Sequence, residues 1–77
     1  MAGGEKRPTR ARFTRIEYRV GYTDSSAHEM VEEGRSFDDE LTVGREIGGP
    51  DGRRYRVTRP EQPASSVGIG HAWCAPA

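Results

Sequence analysis

His71 and Cys74 stand three residues apart in the chain, and His28 is the only other histidine. Imidazole and thiolate side chains at close spacing raise zinc first. A structural zinc takes four ligands, usually supplied as two spaced pairs. One His-x-x-Cys and a distant His do not reach that number, so no metal site is expected. Cys74 would act as a nucleophile only beside a base that holds it as thiolate. His71 or His28 would have to be that base, and nothing in the spacing brings them there. Carboxylates are plentiful: Glu32 with Glu33, then Asp38, Asp39 and Glu40. General acid–base work needs such groups in a concave, partly dry site. These lie in polar sequence, and their spacing is not that of a calcium loop. "GGPDG" and "GIG" lack the Lys-Ser/Thr of a phosphate loop. The expectation is therefore no catalytic residues, no cofactor and no enzyme.

Charge is the more informative chemistry. Twelve basic and twelve acidic side chains cancel, but they are segregated. Residues 6–19 hold six basic groups and one acid, residues 24–51 nine acids and two arginines, and residues 53–61 four arginines and one acid. Eleven of the twelve basic residues are arginine, as GC-rich codon usage produces, which implies a bacterial or phage origin. Guanidinium groups suit paired contacts with carboxylate or phosphate. The ordinary alternative is that they pair with the chain's own acids across strands, each pair being worth less than about 1 kcal/mol.

The elements that position these groups follow from hydrophobic periodicity. Ile16, Tyr18, Val20 and Tyr22 alternate with Arg15, Glu17 and Arg19, the pattern of a half-buried strand. Phe13 is out of phase with them. "TDSS" then reads as a turn. Residues 26–34 admit two readings. Ser26 with Glu29 makes a helical capping box, and Gly34 would close a helix. A turn after a long strand more commonly returns an antiparallel neighbour, and that strand is the reading adopted. "SFDDEL" is a connector with one helical turn, plugged by Phe37 and Leu41. "GPDG" at 49–52 fits a type I turn with Gly52 left-handed. Counting back from it sets Ile47 opposite Tyr55 inside and Glu46 opposite Arg56 outside, with Val43 and Val57 inward. "RPEQPASS" is a loop. "VGIGHAW" alternates Val67, Ile69, His71 and Trp73 against two glycines and an alanine, so the heavy face is expected inside. Bare Gly68 and Gly70 would admit something flat, or mark tight coiling.

The chain therefore divides into a mobile arm, residues 1–9, and one small β domain, residues 10–75. The expected fold is mainly β, a five-stranded antiparallel barrel of the SH3-like kind, which hides the edges an open sheet would expose. The order of strands and turns is similar to that of many small barrels. The alternative is an α+β fold with one short helix at 26–34 on a four-stranded sheet. The core candidates include Met30 and Val31 besides the inward residues named above. Four aromatics, Tyr18, Tyr22, Tyr55 and Trp73, are too many for so small a core, so one or two should surface. No apolar run reaches the roughly 20 residues of a membrane span, and no signal-peptide stretch opens the chain, which implies a cytoplasmic protein. The function expected is a non-catalytic module that docks another protein through Arg15, Arg19, Arg54 and Arg56, anchored by Tyr22 and Trp73. Two alternatives stand beside it. Nucleic acid would be bound by the same arginines with Arg7, Arg10 and Arg12. A structural homo-oligomer would join through sheet edges.

Overall fold

The computed structural model describes residues 15–77, so the arm, Phe13, Arg7, Arg10 and Arg12 lie outside the described residues. The described chain is all strand and turn: β1 (Ile16–Thr23), β2 (Glu29–Phe37), β3 (Glu46–Gly48), β4 (Arg54–Glu61) and β5 (Ile69–Pro76). They form one sheet in the order β2-β1-β5-β4-β3, curled into a half-barrel. The helical alternative at 26–34 is not realised, because Asp24 organises a hairpin there. Its carboxylate accepts the backbone N–H groups of Ser26 and His28, each at 2.8 Å. The backbone closes with Asp24 N–H donating to the His28 carbonyl at 2.9 Å. The connector after Phe37 carries no helical turn.

The expected all-antiparallel pairing is corrected at one ladder. β1 and β5 run parallel, Glu17 beside Ile69 through Tyr22 beside Cys74. The sheet is therefore mixed. β4 returns antiparallel to β5, and β3 to β4 in the register read from the turn, Ile47 with Tyr55 and Glu46 with Arg56. Gly52 is left-handed at φ 82°. Gly52 N–H donates to the Gly49 carbonyl at 3.0 Å, closing the turn. Val43 is exposed rather than inward. Gly44, at φ 93°, turns the chain before β3 begins and breaks the alternation that would have carried Val43 into the core.

The core is built on three tyrosine rings. Tyr18, Tyr22 and Tyr55 are fully buried with Val20, Leu41 and Val57, and Phe37, Ile47, Ala72 and Cys74 complete the cluster. All three tyrosines go inside, and of the four aromatics Trp73 is the one that surfaces. β5 makes room for them, with its phase opposite to the one expected. Gly70, Ala72 and Cys74 point in, whereas Ile69 and Val67 are exposed and His71 and Trp73 sit on the outer face. A Cβ on Gly70 would lie 2.7 Å from the Tyr18 ring and 2.7 Å from the Glu61 carbonyl oxygen. The flat object that the bare strand face admits is thus the protein's own phenol.

The link from β2 to β3 crosses from one sheet edge to the other and drops Leu41 into the core. It is pinned there by a ring of hydrogen bonds. Leu41 N–H donates to the Tyr18 hydroxyl at 3.0 Å, that hydroxyl donates to the Gln62 side-chain oxygen, and the Gln62 amide donates to the Leu41 carbonyl at 2.8 Å.

Candidate functional site

The outer face of the sheet is where the exposed chemistry collects. Among the described residues, the extensive strand–strand contacts are all between sheet neighbours, and no second layer of strands packs on this face. Strand alternation and the register place its residues in rows. Across the middle, Val31, Gly21, Trp73 and Arg59 follow one another from β2 to β4. In the next row Arg19, His71 and Glu61 align. Arg59 reaches this position because β4 bulges between Val57 and Arg59. The bulge restores the outward phase beside Trp73.

Trp73 is the centre of the face. The His71 ring stacks on it, with centroids 4.0 Å apart and planes 10° from parallel. The Arg59 guanidinium carbon lies 4.3 Å from the indole centroid. Two planar groups so close to one ring have to take opposite sides, so the indole is clasped between them. Such a contact contributes about 0.5–1 kcal/mol at an exposed site. It also fixes the ring, so less rotamer entropy is lost when a partner covers it. His71 is held in turn by Arg19, whose Nη1 lies 3.3 Å from the imidazole Nε2. Beside Trp73 the missing side chain of Gly21 leaves an open groove of about 180 Å³, walled by Val31, Met30 and Glu29 opposite Trp73 and His71.

The other expected site residues are placed as follows. Arg54 and Arg56 lie outward on β4 and share one carboxylate, Glu46, at 3.8 Å and 3.0 Å. Arg19 pairs with Glu33 at 2.8 Å, and Arg59 with Glu61 at 3.4 Å. Arg15 pairs with Asp38 at 3.2 Å, before the start of β1 and away from the Trp73 rows. The strands carrying Arg19 and Arg56 are not adjacent, because β5 lies between them. Tyr22 is corrected from a surface anchor to a core residue, 1% exposed. The sequence reading missed Arg59 and the Gly21 groove. The proximity of His71 to Trp73 was legible, since alternation alone sets residues i and i+2 on one face.

Tyr22 belongs to a different polar cluster on the inner side. Gly34, at φ 68°, sits in a bulge of β2 where the register against β1 shifts between Tyr18 and Val20. That extra residue turns both Glu32 and Arg35 inward, which a regular strand would send to opposite faces. The Tyr22 hydroxyl donates to Glu32, and Arg35 Nη1 donates to Tyr22 at 2.9 Å, to Glu32 at 3.0 Å and to the Gly48 carbonyl at 2.6 Å. Arg35 thus ties edge strand β2 to edge strand β3 across the open seam. Burial, then the hydrogen bond to Glu32, raises the Tyr22 phenol well above its ordinary value. Burial also pushes the Cys74 thiol up to about 11. At neutral pH it is a protonated core side chain.

No protein-family model matches this chain, and no curated protein or solved structure matches it significantly either. The functional reading therefore rests on the face itself.

Proposed function

We propose that this protein is a non-catalytic docking module of the small-barrel, SH3-like kind, which binds another protein through the outer face of its sheet. One observation carries the reading. Trp73 is clasped by His71 and Arg59 on a face that no other described strand covers. A rigid, partly exposed indole flanked by a guanidinium and an imidazole has the composition of an interface anchor. Ile69 and Val31, 58% and 46% exposed, add apolar area on the same face. The arginines are accompanied by acids: Arg19, Arg54, Arg56 and Arg59 each have a carboxylate within 4 Å, Arg54 and Arg56 sharing that of Glu46. That favours a partner of mixed charge, a protein, over a phosphate backbone, which calls for unopposed positive charge.

The test is affinity capture with the wild-type chain and with the Trp73→Ala/Arg59→Ala double variant side by side. A protein retained by the first and lost by the second supports the reading. Equal retention by both, or a salt-sensitive shift of labelled single-stranded DNA abolished in Arg54→Ala/Arg56→Ala, overturns it.

A further inference from the structure

We infer that the partner of the outer face is a second copy of this chain, docked face to face about a two-fold axis that runs along β5. The inference rests on the docking reading and names its partner.

The face is divided by charge along the β5 ridge. On the outward side of strands β1 and β2, Glu17, Glu29 and Glu33 outnumber Arg19, and Arg15 just before β1 is matched by Asp38. On the β3–β4 side, Arg54, Arg56 and Arg59 stand against Glu46 and Glu61. One half is net acidic and the other net basic, with Ile69, His71 and Trp73 between them. A two-fold axis along the ridge lays each half on the opposite half of the second copy. An axis across the strands would lay acid on acid. Two-fold docking is also self-limiting, because both copies spend the same surface.

The register sharpens the fit. Arg19 and Glu61 flank His71 on its two sides. The axis therefore sets Arg19 over Glu61 of the second copy, and the symmetry repeats the pair. Gly21 and Arg59 flank Trp73 in the same way. Arg59 of the second copy then falls over the bare Gly21 groove, where there is room for its stem, and the two indoles meet on the axis. A formal net charge of zero removes long-range repulsion between copies. A domain this small also gains stability by covering apolar surface in an oligomer.

The experiment is sedimentation of the purified full chain and of two charge reversals, Arg19→Glu and Glu61→Arg. Both positions are exposed, and far-UV circular dichroism checks that each variant is folded. The wild type is expected to sediment as a dimer. Either reversal alone sets like charges together twice, and should raise the dissociation constant about tenfold or more. An equimolar mixture of the two variants makes every facing pair opposite in charge, and should recover the dimer. A monomeric wild type overturns the proposal, as does a mixture that stays monomeric or a dimer that ignores both reversals. Failure of the underlying reading looks different. A monomer that still retains a protein lost with Trp73→Ala/Arg59→Ala overturns the dimer alone and leaves docking through this face standing. If that double variant changes neither sedimentation nor retention, both ideas fall.

Discussion

Among the described side chains, polar contacts converge on Arg35. Its Nη1 serves Tyr22, Glu32 and the Gly48 carbonyl together. Removing it leaves a carboxylate and a carbonyl in a half-buried seam with fewer donors, and a partner lost at such a site costs about 1–3 kcal/mol. Arg35→Ala is expected to lower stability by that amount in urea titrations. Arg35→Lys should recover part of it, because all three contacts leave one nitrogen and an ammonium carries three N–H donors. A midpoint unchanged in Arg35→Ala would remove the seam from the account of stability. The role of Arg35 was not legible in the chain. A lone arginine amid acids reads as solvated charge, and only the bulge at Gly34 turns it inward.

At the scale of the element, β5 and β2 show why period alone misleads. β5 alternates bulky and bare residues, and the usual inference sends the bulky set inside. Here the inside is already filled by aromatic rings from β1 and β4, and β5, between those strands, presents the thin side to them. Gly70→Ala should therefore cost about 1–3 kcal/mol, since neither the Tyr18 ring nor the Glu61 backbone can yield easily at 2.7 Å. Gly68→Ala, whose nearest neighbour is at 3.5 Å, should stay within about 0.5 kcal/mol. Thermal melts of the two variants compare them directly, and equal losses would sink the argument. In β2 the constraint is conformational rather than steric. Gly34→Ala meets only a side-chain oxygen at 3.8 Å but keeps φ at 68°. A loss of about 1 kcal/mol is expected in urea titrations, with the fold unchanged. A stabilised variant would contradict the left-handed bulge.

At the scale of the whole molecule, buried weak acids, Cys74 and Tyr22 among them, tie stability to alkaline pH. Cys74 is raised from 9.0 to about 11, and Tyr22 is raised as well, both chiefly by burial. In each case the unfolded chain loses its proton first as pH rises. The contribution of the neutral group is fully present below the unfolded value and is lost as pH climbs through the folded one. For Cys74 that window runs from 9.0 to about 11, and Tyr22 extends it upward. The urea midpoint should hold from pH 7 to 8.5 and fall above pH 9, less steeply in Cys74→Ala. A flat profile to pH 11 in the wild type would show that neither group is buried as described.

Local information sufficed for part of this molecule. The Pro-Asp-Gly turn set the β3–β4 register by residues within reach of one another along the chain, and the period of β1 placed four side chains inward without help from a neighbour. The outward arginines of β4 followed from the same alternation. Parallel pairing of β1 with β5, the bulges at Gly34 and before Arg59, and the thin inner face of β5 were decided only by the assembled core. They depend on which ring fills which space among residues far apart in sequence, and no periodicity within a single segment encodes that competition for volume.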